Sequence, residues 1–421
     1  MISTHTTLSI EEQCKRAHKV RFVMASQSTE VKNKVLHHMA ESLKTHKDDI
    51  IRHNEMDIKS GIQSGLSKAL IDRLTLNESR ILGMAQSLID IAHQPDPIGE
   101  AVSSWIRPNG LHISKIRDPL GVIAIIYEAR PNVTADAIGL CVKSGNAVVL
   151  RGSSSAQHSN RMITQVLREA AVNEGVPGEA IQLLEDTSRE GVQKLVTLRQ
   201  YLSLVIPRGG ASLIQSVVTH ATVPSIETGV GNCHIYVDKS ANLKDAINIV
   251  INAKTQRPSV CNACETLLVH EQVASDFLQQ IYPKLDEKGV EIRGDDKTRE
   301  RLPACKKATN EDWDTEYLDL ILAVKVVADI NEAISHIQMH STLHSESIIA
   351  SDEKAISLFK NNIDAAAIVI NASSRFVDGS EFGFGAEMGI STQKLHARGP
   401  MGLTELTTTK YIVEGNGQIR S

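Results

Sequence analysis

Two thiols three residues apart, Cys261 and Cys264, lie in the polar, turn-prone stretch Arg257-Pro258-Ser259-Val260-Cys261-Asn262-Ala263-Cys264-Glu265, and the apolar run Thr266-Leu267-Leu268-Val269 follows them. A thiolate is the strongest ordinary side-chain nucleophile near neutral pH, and its attack on an acyl carbon or an aldehyde divides one hard step into two. Pro258 stops a helix from running through this point, and the run after Cys264 reads as a buried strand, so Cys261 stands at a strand entrance. Two plainer readings stand beside the nucleophile: a pair of small core residues, or a two-ligand metal half-site or redox pair. A zinc site needs two more ligands at matching spacing, and Cys14, Cys141, Cys233 and Cys305 are single and far apart.

The elements around this stretch must hold it. Residues 10 to 93 are polar and helical in period, with Phe22-Val23, Val35-Leu36, Met39, Leu43 and Ile50-Ile51 recurring at about helical spacing. The two prolines of Gln94-Pro95-Asp96-Pro97 end that lead-in. A hairpin turning at Asn109-Gly110 follows, either a plain surface hairpin or an arm for a neighbouring subunit. From Gly121 onward strands alternate with helices: 121–127, 147–150, 181–184 and 202–207 read as strands, which predicts a doubly wound α/β sheet with its ligand off the strands' carboxyl ends. The turns at those ends carry Arg130, Arg151 with Ser153 and Ser154, and Arg208 with Gly209 and Gly210. Small residues that admit backbone amides, each set with an arginine, suit a phosphate-bearing ligand. No G-x-G-x-x-G or Walker sequence is present. A second α/β section runs from 223 to about 370, with strands at 234–237, 266–269, 320–324 and 347–350, and a glycine-rich tail follows.

Composition removes several classes of function. A chain of 421 residues has room for two or three domains, and 41% hydrophobic with 23% charged residues is globular and soluble in character. Aromatics at 3% and a net charge of −5 without a basic block argue against a nucleic-acid surface. No apolar run approaches the roughly 20 residues that span a bilayer. The opening residues show no export signal, so six unpatterned cysteines fit a reducing cytoplasm. His336, His340 and His344 fall four apart, as ligands on one helix face would. With no carboxylate or Cys nearby to complete the set and Ser341-Thr342 weakening the helix, no metal is expected.

Longer words of the sequence resemble a known family. Pro119-Leu120-Gly121-Val122, Tyr127-Glu128-Ala129-Arg130-Pro131-Asn132-Val133-Thr134, Lys143-Ser144-Gly145-Asn146-Ala147, Glu227-Thr228-Gly229-Val230-Gly231-Asn232-Cys233-His234, Arg257-Pro258-Ser259-Val260-Cys261-Asn262 and the run from Gly389 to Gly402 resemble the gamma-glutamyl phosphate reductase family of the aldehyde dehydrogenase superfamily. The likeness covers essentially the whole chain, in order. It implies the second step of proline synthesis from glutamate, in which L-glutamyl 5-phosphate and NADPH give L-glutamate 5-semialdehyde, NADP and phosphate.

The resemblance also implies roles. Cys261 takes the nucleophile position and Cys264 does not. Asn132 resembles the asparagine whose amide, with the cysteine's own backbone N–H, holds the oxyanion, and Glu227 the glutamate that acts as general base. Glu316 is similar in placement to the glutamate on the nicotinamide ribose, and Gly209 and Gly210 to the residues under the pyrophosphate. Arg151, Ser153 and Ser154 match the adenosine-ribose turn, where an arginine and hydroxyls in place of an acid favour NADP. Arg130 and His344 are implied substrate contacts. His396 and Arg398 either contact the substrate's α-carboxylate or phosphate or hold the C-terminal loop.

The implied architecture is a Rossmann-type NADP-binding domain (1–103 with 117–226 and 371–400), an α/β catalytic domain (227–370) and a small β oligomerisation element (104–116 with 401–421). A homo-oligomer in the cytoplasm is implied, with glutamate 5-kinase as a partner that would hand over the labile acyl phosphate. Two rivals remain: an NAD-dependent aldehyde dehydrogenase acting on another semialdehyde, and a nucleotide-binding scaffold without the chemistry.

Overall fold

The computed structural model describes residues 8–420, so the segment 1–7, part of the reading for an export signal, lies outside it, as does Ser421 of the expected oligomerisation element. Contacts divide the chain into two units, Met1–Glu227 with Gly383–Gly389 and Met401–Ser421, and Thr228–Phe382 with Ile390–Pro400.

In the first unit the lead-in forms five helices, Ile10–Ala25, Thr29–Thr45, Lys47–Gln63, Lys68–Leu74 and Glu78–His93. Ser9, Ser28, Ser67 and Asn77 each accept a backbone N–H at a helix start, satisfying donors that the first turn leaves without an intrahelical partner. Val35, Leu36, Met39, Leu43 and Ile50 are buried, as their spacing predicts. Phe22 and Val23 are not: they are 69% and 43% exposed, and the Arg21 guanidinium lies 4.0 Å from the centre of the Phe22 ring, covering it with a cation in place of a core.

The first sheet is parallel, in the order Ile181–Leu183, Ala147–Arg151, Val122–Tyr127, Leu204–Arg208. Its central strand, Val-Ile-Ala-Ile-Ile-Tyr, is buried along its whole length, as a strand covered on both faces must be. The direction of winding reverses between Val122–Tyr127 and Leu204–Arg208, which opens a crevice at their carboxyl ends. The expected hairpin is present: Ala101–Ile106 pairs antiparallel with His112–Pro119, and Gly110 at φ +85° turns it. Thr407–Glu414 adds a third strand on the other edge of His112–Pro119. Ala101–Ile106 is exposed at every residue, and Trp105 meets Tyr411 edge-on at 6.3 Å.

The second unit holds a seven-stranded parallel sheet in the order Lys306–Lys307, Glu291–Gly294, Ile321–Val327, Cys264–His270, Cys233–Val237, Ser345–Ile349, Ala367–Ile370. One face is packed by Leu243–Thr255 and Glu271–Glu287 around Phe277, Ile281 and Leu267, and the other by residues including Tyr236, Ile337 and Phe359. Residues 371–382 and 390–400, expected with the first section, cluster here instead. Ile390–Ser391 pairs with Gly399–Pro400, and the Gly229 N–H donates to the Ile390 carbonyl at 3.0 Å.

Candidate active site

Cys261 lies in a turn three residues before the strand Cys264–His270, after the helix Leu243–Thr255 has ended at Gln256. Pro258 prevents continuation of that helix, and the Ala263 N–H donates to the Val260 carbonyl at 3.1 Å to close the turn. The two thiols are now distinguishable. Cys261 is partly exposed, whereas Cys264 is sealed, its Sγ directed at the Thr266 carbonyl at 3.4 Å and its pKa driven far above the usual thiol range by burial. Cys233 is also buried, its Sγ 3.1 Å from the Cys261 carbonyl, with its pKa pushed up for the same reason.

Neighbours on both sides fix the turn that carries Cys261. Gly231 packs on it: a Cβ at Gly231 would stand 1.6 Å from the Cys261 carbonyl oxygen, so no larger residue fits the turn as it stands. The Gly231 N–H donates to Glu316 Oε1 at 2.8 Å. On the far side of the turn, Asn262 is held by the short helix Ser374–Phe376: Ser374 Oγ donates to the Asn262 carbonyl at 2.6 Å and Asn262 Nδ2 to the Val377 carbonyl at 2.8 Å. Arg375, on the same short helix, donates from Nη1 to Asn262 Oδ1 and from Nε to Gln256 Oε1 at 2.8 Å.

These residues gather at the amino ends of the parallel strands, where Gly231, Cys261 and Glu316 precede Cys233–Val237, Cys264–His270 and Ile321–Val327 respectively. Beneath them Lys254 and Glu265 form a fully buried ion pair at 2.6 Å, and Glu265 Oε1 also accepts the N–H of Leu318, whose φ is +54°. Burial drives the Glu265 carboxyl up to about 7 against the opposing pull of Lys254.

His344 is fully buried, its Nδ1 hydrogen-bonded to Ser345 Oγ at 2.8 Å and 3.7 Å from Cys233 Sγ, so it does not face a solvent-borne substrate as the sequence suggested. Desolvation lowers its pKa to about 4. It also leaves the face of the helix Ile330–His340, being beyond its end, whereas His336 is buried within it and His340 bonds Asp314 at 2.7 Å. Among the described residues no group of three or more His, Cys, Asp or Glu is arranged to hold a metal. Arg398 is tied to Asp364 at 2.5 Å, and His396 is exposed with φ +67°.

In the first unit Asn132 opens the helix Asn132–Lys143 and is exposed; its Nδ2 donates to Asp136 Oδ2 at 3.3 Å, and Ser87 donates to the other carboxylate oxygen at 2.9 Å. Glu227 is half-buried at the point where the chain leaves this unit, and Arg130 is half-buried after the central strand. A cavity of about 500 Å³ beside the crevice is lined by Arg151, Ser153, Ser154, Arg189 and Ser212. Arg151 donates from Nη2 to the Thr187 and Ser188 carbonyls while its buried Nε has no partner among the described residues. Glu128 also lines it, so the hollow is polar with two arginines and one carboxylate, and its arginines and hydroxyls are donors of the kind that hold an anionic ligand. Gly209 and Gly210 lie under Glu128, whose Oε2 accepts the Gly210 N–H at 3.0 Å, so an anion seated there displaces that carboxylate.

Arg375, which braces the turn, was not singled out by the sequence. It sits 113 positions from Asn262 and in none of the motif words, so no local signal points to it.

Comparison with known proteins places this geometry. Residues 2–300 match the model of the aldehyde dehydrogenase family. The gamma-glutamyl phosphate reductase of Moorella thermoacetica is 55% identical over 416 residues, 99% of this chain and 100% of that one. The corresponding protein of Halothermothrix orenii is 54% identical over 97% of this chain and 98% of its own length. The crystal structure of gamma-glutamyl phosphate reductase from Thermotoga maritima superimposes with a TM-score of 0.94 at 49% identity, covering 97% of this chain and 99% of that one. An acetylating aldehyde dehydrogenase from Geobacillus thermoglucosidasius, 18% identical with a TM-score of 0.70, shares the fold.

Proposed function

Because the chain belongs to the aldehyde dehydrogenase family, and within it to the gamma-glutamyl phosphate reductases, we propose that it converts L-glutamyl 5-phosphate to L-glutamate 5-semialdehyde and phosphate through a thioester on Cys261. The observation that carries the reading is the contrast between the two thiols: Cys261 is partly exposed in a turn fixed by Gly231, Asn262 and Ser374, and Cys264 is sealed.

The Cys261 sulfur attacks the glutamyl carbonyl carbon. The Cys261 backbone N–H and the Asn132 side-chain amide are the candidate oxyanion donors, and a donor of this kind typically lowers such a barrier by about 3 kcal/mol. The Asp136 carboxyl group, itself held by Ser87, accepts from the Asn132 amide. Glu227 is the candidate proton acceptor. NADPH, when bound, supplies the hydride that reduces the thioester. Arg151, Ser153 and Ser154 would hold its 2′-phosphate, Gly209 and Gly210 its pyrophosphate, and Glu316 its nicotinamide ribose. Arg130, His396 and Arg398 are the remaining candidates for the substrate's charged ends.

The exposed strand Ala101–Ile106 is an edge of its sheet with Trp105 and Tyr411 nearby, a surface suited to pairing in a homo-oligomer. The work belongs in the cytoplasm, where the acyl phosphate arrives from glutamate 5-kinase. No helix of the described residues is long and apolar enough to cross a membrane.

The test is a pair of variants assayed with glutamyl phosphate and NADPH. Cys261→Ser should bind NADPH yet make no semialdehyde, and Cys264→Ser should keep most of its activity. Appreciable turnover by Cys261→Ser would remove that sulfur from the reaction.

A further inference from the structure

We propose that Arg375, seconded by Arg257, is the seat of the phosphoryl group that leaves when Cys261 is acylated, an assignment that rests on the acyl phosphate reading above. The local field calls for such a cation. Reactive cysteines are commonly placed at helix N-termini, where the dipole favours an anion. Cys261 has the reverse setting. The helix Leu243–Thr255 directs its carboxyl end at the turn, and Ile330–His340 likewise ends at this amino edge of the sheet. Both ends oppose a thiolate and a dianionic phosphate alike. Lys254, the cation in the last turn of Leu243–Thr255, is fully buried and committed to Glu265.

Arg375 fills the gap. Its Nε is bonded to Gln256 and its Nη1 to Asn262, residues that flank the segment 257–261, so the guanidinium plane is fixed against the turn at both ends. Nη2 takes part in neither of these bonds and is the nitrogen left to a ligand. Arg257 is exposed and follows directly on Gln256, the residue that Arg375 Nε holds, and the carboxylates Asp378 and Glu381 also face Arg375. A fixed fork with a spare N–H beside a second arginine suits a phosphoryl group, which accepts several charge-assisted hydrogen bonds. In the acylation step the sulfur–carbon bond forms and the bond from carbon to the phosphate oxygen breaks. Its electron pair leaves on the phosphate, which ends with the proton from the thiol as hydrogenphosphate.

The test uses the cofactor-free enzyme, iodoacetamide alkylation of Cys261 read by peptide mass, and inorganic phosphate as the probe at constant ionic strength. Phosphate should slow alkylation saturably in the native enzyme. The half-protecting concentration should rise about tenfold or more in Arg375→Gln and less in Arg375→Lys, in line with the loss of one charge-assisted hydrogen bond. Arg257→Gln, which breaks none of the turn's hydrogen bonds described above, should raise it about threefold, so the test survives if Arg375→Gln does not fold. Equal protection in the native enzyme and the variants, or no saturable protection in the native enzyme, overturns the assignment. If the native enzyme oxidises glutamate semialdehyde without needing phosphate, the acyl phosphate reading itself falls. If it needs phosphate while protection is the same in every variant, only the arginine assignment falls.

Discussion

Gly231 and Cys261 are in backbone contact, close enough that a methyl group on the glycine would overlap the cysteine's carbonyl oxygen at 1.6 Å. The contact lets the loop before Cys233–Val237 set the position of a sulfur that belongs to the next strand's approach.

The first prediction follows from that contact. Gly231→Ala must push the Cys261 turn away, and a displacement of about 1 Å at a reacting group can cost roughly 100-fold in rate. The variant should remain folded by circular dichroism, bind NADPH normally and lose about two orders of magnitude in kcat. Unchanged kcat would show that the contact does not position the sulfur.

The buried pair Lys254 and Glu265 supports the same region from below. Removing one partner leaves an uncompensated charge with no exposure, so Lys254→Met should lower stability by about 3–5 kcal/mol in urea unfolding. Lys254→Met combined with Glu265→Leu should recover most of that loss, because no lone charge remains. A double variant as unstable as the single one would contradict this account of the pair.

Acid stability should depend on His344. Its folded-state pKa is depressed to about 4 by burial, so the neutral form is favoured in the native protein and the unfolded chain takes up the proton first. The stabilising contribution is complete above about pH 6.5 and is lost as pH falls towards 4. Comparing urea midpoints at pH 7 and pH 4.5, His344→Asn should lose about 2–3 kcal/mol less than the native enzyme does. Equal losses would show that this imidazole is not the group resisting protonation.

Cofactor choice should respond to one new charge. Ser154 lines the cavity that also holds Arg151 and Arg189. Ser154→Asp brings an acid to where a 2′-phosphate would sit, so the KM for NADPH should rise about tenfold or more while that for NADH moves little. Parallel changes for both cofactors would move the adenosine ribose elsewhere.

The sequence was informative wherever a local rule governed the structure. Pro258 and the run Thr266-Leu267-Leu268-Val269 announced the turn and strand that carry Cys261, and the strand rhythm from Gly121 led to the observed parallel sheet. Partnerships set by distant contacts were not legible. Nothing near Arg375 signals that it reaches Gln256 and Asn262, and the long words around Gly231 do not say what its missing side chain makes room for. The rule that places ligands at the carboxyl ends of parallel strands gives no guide to the second sheet, whose cysteine lies at the amino ends. His344 stands in a telling segment yet is closed off by packing, and Phe22 fits the helical period yet lies outside under a guanidinium.

The central claim is that Cys261 carries the acyl group and that phosphate is what removes it in the oxidative direction. The most direct measurement mixes the enzyme with glutamate 5-semialdehyde and NADP while phosphate is withheld, follows NADPH within the first turnover, and then weighs the acid-quenched peptide containing Cys261. The account predicts a burst of about one NADPH per subunit followed by a stall, a glutamyl mass on Cys261 and none on Cys264, and resumed turnover when phosphate is added. Steady oxidation without phosphate, or a burst that leaves Cys261 unmodified, would contradict it.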